Sequence, residues 1–149
     1  MTLDDDNENL RRIPLLAIFE PGALTALAFS AETRLLRAGD TLFRRGEASD
    51  GGYILMTGSV ALDLHDDGRP AEKILRPWAL IGEIALVAAS TRPITAIARE
   101  PTTVLKISRG LFHQVLEQHP ITAARTRDFF RTRLLEFAEG MKLDAEGSA

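Results

Sequence analysis

Between Thr33 and Ser108, glycine interrupts the chain at Gly39, Gly46, Gly51, Gly52, Gly58 and Gly68. The apolar runs between these breaks are too short for helices and long enough for strands. Tyr53-Ile54-Leu55-Met56 is one run and Val60-Ala61-Leu62-Asp63-Leu64 is another. In the second, Val60, Leu62 and Leu64 alternate with Ala61 and Asp63, the period of a half-buried strand. Asp66-Asp67-Gly68-Arg69 has the composition of a hairpin turn. Many short strands with regular turns imply a β-sandwich, jelly roll or barrel. Gly82 to Val87 interrupts the pattern as a helical turn, and strands resume over Arg92–Arg99 and Thr102–Ile107.

Helical signals flank this region. Residues 1–9 are polar and acidic and read as a loose tail. Leu10 to Phe19 is apolar but broken by Pro14, and Pro21 suits the first turn of a helix running to Ser30. After the strands, Ser108 reads as an N-cap for a helix over Arg109–His119, which Pro120 ends. A longer helix is expected from Pro120 to about Met141. Along it Ala123, Arg127, Phe130, Leu134, Phe137 and Met141 recur at alternating four- and three-residue steps. This stripe either packs on its own domain or forms a helix–helix dimer, and Arg127 within it weighs against the dimer. Residues 143–149 read as a second polar tail. The expected layout is a domain over 10–142 between two short tails.

The 149 residues suffice for one domain with its own core. The absence of cysteine excludes a disulfide framework, a thiolate metal site and a cysteine nucleophile, and suits a cytoplasmic location. A net charge of -3 gives no overall field that would attract nucleic acid. Arg125, Arg127, Arg131 and Arg133 cluster on the last helix, but Asp128, Glu136 and Glu139 intersperse them, as on a solvated helix face. No apolar stretch has the length of a membrane span, and the acidic start does not resemble a signal peptide. His65, His113 and His119 lack metal-ligand spacing, and no nucleophile triad or carboxylate pair is evident. The chain therefore reads as non-enzymatic, with no metal.

One segment does point to chemistry. Ile81-Gly82-Glu83-Ile84-Ala85-Leu86-Val87 is followed by Thr91-Arg92-Pro93-Ile94-Thr95-Ala96. A glycine lets backbone amides approach a phosphate, and an arginine neutralises it with a fork of donors. A carboxylate accepts a hydrogen bond from a sugar hydroxyl. Taken singly, each residue also has an ordinary reading. Glu83 suits a helix N-terminus, where a carboxylate gains about 0.3–1 kcal/mol. Arg92 can be a surface arginine paired with Glu83.

The order of these pieces resembles the cyclic nucleotide-binding domain family, which includes the catabolite activator protein, the regulatory subunits of cAMP-dependent protein kinase, and gated channels. The resemblance runs from Leu10 to Met141. It is carried by Arg37-Ala38-Gly39-Asp40-Thr41-Leu42-Phe43, Arg45-Gly46-Glu47-Ala48-Ser49-Asp50, Tyr53-Ile54-Leu55 with Gly58-Ser59-Val60, and the Gly82–Ala96 cassette. The implied fold is mainly β with flanking helices, a β-roll of jelly-roll type. The implied ligand is cAMP or cGMP, with no other cofactor. By resemblance, Gly82, Ile84 and Ala85 present amides to the cyclic phosphate, Glu83 holds the ribose 2′-hydroxyl, and Arg92 pairs with the phosphate. Arg133 and Phe137, on the last helix, align near a lid over the base. Each also has a plainer reading, Arg133 in solvent and Phe137 in a core or dimer seam.

Two residues depart from the family pattern. The arginine is usually followed by a small residue, often serine or threonine, and then alanine, and here Pro93 and Ile94 follow. Proline offers neither N–H nor hydroxyl. A bond to a charged group contributes about 1.5–3 kcal/mol, so its loss weakens binding roughly ten- to a hundredfold. By the resemblance, the absence of threonine at this position leans towards cAMP, or towards poor discrimination between cAMP and cGMP. Ile94 excludes ligand if it faces the pocket, and is harmless if it faces a core whose neighbours are small. The expectation is a stand-alone sensor that signals through its last two helices to an effector protein or by self-association. The alternative is a ligand-independent interaction module with a degenerate pocket. No helix-turn-helix segment is expected after the last helix.

Overall fold

The computed structural model describes residues 3–63 and 73–147, with side chains described for 7–63, 73–136 and 139. Three helices lead: α1 (Leu3–Leu10), α2 (Pro14–Ala17) and α3 (Pro21–Ser30). Pro14 and Pro21 each occupy a first-turn position, where the missing N–H has no helical partner to lose. Eight strands follow: β1 (Glu32–Leu36), β2 (Thr41–Phe43), β3 (Gly51–Thr57), β4 (Val60–Asp63), β5 (Lys73–Leu75), β6 (Ala79–Ile81), β7 (Thr95–Ala98) and β8 (Thr102–Ser108). A single 3-10 turn at Ile84–Leu86 separates β6 from β7. Helices α4 (Arg109–Gln118) and α5 (Pro120–Gly147) close the chain.

The strands form two antiparallel four-stranded sheets, ordered β1-β8-β3-β6 and β2-β7-β4-β5. This is the expected β-roll with flanking helices. Side chains alternate along the shared strands, and that alternation divides the core in two. Tyr53, Leu55 and Val104 point into an inner cluster with Phe43, Val60, Ile81 and Ala96. Ile54, Leu105 and Ile107 point the other way, into an outer cluster with Leu15, Leu16, Phe19, Leu24, Leu27 and Phe112. The outer cluster fastens the helices to the roll.

The ends and some faces differ from the sequence reading. The acidic start is not a loose tail but helical over Leu3–Leu10. Leu10 is buried in the outer cluster, and Asn7 donates to the Thr25 hydroxyl at 3.3 Å. Likewise α5 runs past the expected end to Gly147. Strand β4 does not alternate cleanly: Ala61 and Asp63 are buried and Leu62 is half-buried. Ala61 is small and is flanked across the ladder by Ile74 and Ile97, which shield it. Leu64, the Asp66–Arg69 turn and His65 lie outside the described residues.

Only part of the stripe on α5 packs on its own domain. Phe130 is buried in the outer cluster, Ala123 is half-buried, and Arg127 and Leu134 are exposed. The side chains of Phe137 and Met141 lie outside the described ones. The contact face of α5 is instead Thr122, Thr126 and Phe130, at four-residue spacing. Two of these are hydroxyl residues, so an apolar-stripe search passes over them. Thr126 donates to the Thr122 carbonyl at 2.8 Å, which satisfies its hydroxyl inside the helix. Thr122 is joined to Glu20, before α3, by a reciprocal set of bonds at 3.0–3.2 Å. Among the described residues, no helix is long and apolar enough to cross a membrane, and no cluster of three or more His, Asp or Glu could hold a metal.

Candidate ligand site

Strand β6 ends at Ile81, and Gly82 turns the chain with φ +83. This left-handed conformation disfavours any side chain, and a side chain would also have to displace a neighbour. A Cβ on Gly82 would meet Arg92 Nη1 at 2.6 Å. Gly82→Ala is therefore expected to lower stability by about 1–2 kcal/mol from backbone strain, plus the displacement of Arg92. Urea unfolding followed by circular dichroism measures this.

The 3-10 turn that follows is held by Ala85 N–H to Gly82 O at 3.1 Å and Leu86 N–H to Glu83 O at 3.2 Å. Ala85 and Leu86 are buried, while Ile84 is exposed. The amides before the first of these bonds stand at the positive end of the turn.

Arg92 precedes β7 rather than lying within a strand. Its backbone is bracketed by the loop after β2: Gly46 N–H donates to Arg92 O, and Arg92 N–H donates to Glu47 O, both at 2.8 Å. The side chain is only 5% exposed. Its Nη2 donates to Gly51 O at 2.7 Å. Its Cζ lies 4.3 Å from the Phe43 ring centroid and 5.7 Å from that of Tyr53, within cation–π reach of both. Among the described residues, no carboxylate lies within ion-pair distance of it. Burial lowers the Arg92 pKa; Tyr53, Asp50 and Glu47 oppose this, and the nearby Arg109 adds to it. The guanidinium nevertheless stays charged, as arginine does in proteins. A buried cation on aromatic rings, with no carboxylate in contact among the described residues, is suited to receive an anion. Nearby, Asp50 carries the opposite charge, and its pKa is lowered chiefly by a 2.7 Å hydrogen bond from Lys106.

Arg92 is thus neither a surface residue nor the partner of Glu83. Glu83 pairs instead with Arg133 of α5, with Nε 3.5 Å from Oε1. Arg133 also lies over Phe129, 4.9 Å from the ring centroid. So Arg133 is not simply solvated. It brings the last helix to the turn. Both Glu83 and Arg92 adjoin Gly82, the first in sequence and the second in space, but no ion pair joins them.

Pro93 is exposed. Ile94 is half-buried and packs against the inner cluster, whose member Ala96 is fully buried. The isoleucine therefore faces the roll interior, beside a small neighbour. Phe43, Tyr53 and the Gly51 carbonyl were not legible as site residues. They meet Arg92 only because β2, β3 and the cassette converge in space. Two cavities border α5. A groove of about 880 Å³ lies between Val87, α4 and α5, and a smaller one of about 470 Å³ includes Arg133. Neither is lined by Glu83 or Arg92.

The profile of the cyclic nucleotide-binding domain matches residues 33–119, more than half the chain. The chain belongs to the cyclic nucleotide-binding domain family. It is similar to a cyclic nucleotide-binding-like protein from Brucella abortus, with 43% identity and a TM-score of 0.70, covering 76% of this chain and 99% of that one. It is also similar to the N-terminal domain of a transcriptional regulator from Streptomyces coelicolor, with 30% identity and a TM-score of 0.80, covering 89% and 94% respectively. Among curated relatives, lysophospholipase nte1 of Aspergillus fumigatus is 26% identical over 121 residues. That match takes in 80% of this chain but only 8% of the lysophospholipase.

Proposed function

We propose that this cyclic nucleotide-binding domain is a non-catalytic sensor that binds cAMP or cGMP between the 82–85 turn and Arg92. The observation that carries this reading is the Arg92 guanidinium, buried on two aromatic rings with no carboxylate in ion-pair contact among the described residues. A cyclic phosphodiester carries one negative charge, and its two exocyclic oxygens match the fork of donors. Gly82, Ile84 and Ala85 present the turn, and Glu83 accepts from the ribose 2′-hydroxyl. Pro93 contributes no donor, and Ile94 borders the interior. Arg133 and Phe137 close over the base from α5.

The Glu83–Arg133 pair supports a relay through α5. A ribose that engages Glu83 competes with or joins Arg133, so α5 responds to the ligand through its differential affinity for two positions. The output is an effector protein, or a homodimer through residues 120–141. Leu134 and Leu135, about 60% exposed, border the groove next to Val87 of the cassette. A partner seated there touches both the cassette and α5.

Calorimetric titration with cAMP, cGMP and their 2′-deoxy analogues tests the reading. A 2′-deoxy analogue is expected to bind roughly ten- to a hundredfold more weakly, the loss of one hydrogen bond to a charged acceptor. Absence of heat with either ribonucleotide at millimolar concentration overturns it. That result favours the ligand-independent interaction module, to which the missing donor at Pro93 points.

A further inference from the structure

Strand β1 ends its sheet, paired with β8 on one side. Among the described residues no strand pairs with its other side. Such an edge offers a row of free N–H and C=O groups to another strand. The two most exposed large apolar side chains among the described residues lie on or next to it. Phe29, near the end of α3, is 85% exposed, and Leu35, within β1, is 79% exposed. Ala31, between them, already has extended backbone. Charge adds a third feature. Arg34 Nε donates to Glu32 Oε1 at 3.2 Å, an ion pair in solvent that contributes little within one chain.

We propose that this edge is an interaction surface for a second copy of the chain, with β1 pairing antiparallel to its own equivalent. The pairing needs no nucleotide and uses β1 rather than α5. A two-fold axis perpendicular to the sheet sets odd residues opposite odd ones and even opposite even. Centring the pair on Thr33 puts Glu32 opposite the second copy's Arg34, and Arg34 opposite its Glu32. Centring on Glu32 or on Arg34 sets like charges face to face, which destabilises a pair of strands. Centring on Leu35 joins the leucines but leaves both charges without a partner across the pair. The Thr33 register also lays Leu35 against the second copy's Ala31, two residues from its Phe29, so the exposed apolar groups meet. A five-residue strand pair is small beside the roughly 1,200–2,000 Å² of a stable interface, so the dimer is weak and depends on concentration.

Sedimentation velocity on the full chain, from micromolar to millimolar concentration, tests this, and circular dichroism checks the fold of each variant. Wild type is expected to show a monomer–dimer equilibrium. E32R sets arginine opposite arginine at two places, and R34E sets glutamate opposite glutamate. Each is expected to weaken association about tenfold or more. Mixing the two variants restores both cross-strand ion pairs, as does the double variant E32R/R34E, and both are expected to recover wild-type association. L35S weakens association, and L134S, on the exposed face of α5, leaves it unchanged. A wild type that stays monomeric at millimolar concentration overturns the proposal. So does a dimer that E32R and R34E leave intact, a mixture of the two that fails to associate, or a dimer lost in L134S, which places the contact on α5.

Discussion

Arg92→Met is expected to abolish nucleotide binding while leaving the fold standing. Two charge-assisted bonds from a guanidinium to a phosphate contribute about 1.5–3 kcal/mol each. Removing both weakens binding roughly 10²- to 10⁴-fold. Stability follows a different balance. Methionine is apolar, can lie on the Phe43 and Tyr53 rings, and carries no charge to desolvate. Against this, the Gly51 carbonyl loses its donor, at about 1–3 kcal/mol. These terms oppose one another, so the melting temperature stays within a few degrees of wild type. Titration calorimetry and a thermal melt on the same sample read both quantities. A variant that binds as before, or that unfolds, assigns Arg92 a structural role instead.

Phe112→Ala is expected to have the largest effect on stability. Phe112 is 1% exposed and meets Phe19 at 5.9 Å between ring centroids. It belongs to the cluster that fastens α4 to the N-terminal helices and to β3 and β8. Truncating a buried phenylalanine costs about 3–5 kcal/mol, a large part of the 5–15 kcal/mol typical of a whole domain. Phe112→Leu keeps most of the volume and should cost less than about 1.5 kcal/mol. Urea unfolding of the two variants measures the difference. A loss below about 1 kcal/mol for the alanine variant contradicts the packing of α4 described above.

Elements whose signals are local were legible. The glycine-separated runs became strands because a short apolar run between turns has few other ways to bury itself. Ser108 caps α4 as its residue type suggests. The cassette turn formed where Gly82 allowed it. Faces and partners were harder to read. The contact face of α5 uses Thr122 and Thr126, whose hydroxyls are satisfied by partners no sequence pattern names. The start of the chain is acidic yet helical, with Asn7 held by Thr25 of α3. Glu83 was a natural partner for Arg92 on charge alone, but the fold gives Glu83 to Arg133 and Arg92 to an aromatic floor.

The sequence by itself determined the strand-rich roll, the capped start of α4, the family, and which glycine, carboxylate and arginine sit in the cassette. Those follow from the backbone freedom of glycine, the spacing of apolar residues and the donors that each side chain carries. Only the tertiary structure decided that Arg92 lies buried on Phe43 and Tyr53, that Arg133 reaches Glu83, and that Arg109 donates to the Ala85 carbonyl. Each of these contacts joins residues 24 to 50 positions apart in the chain. A burial environment is a property of the assembled sheets and helices, and no local pattern carries it.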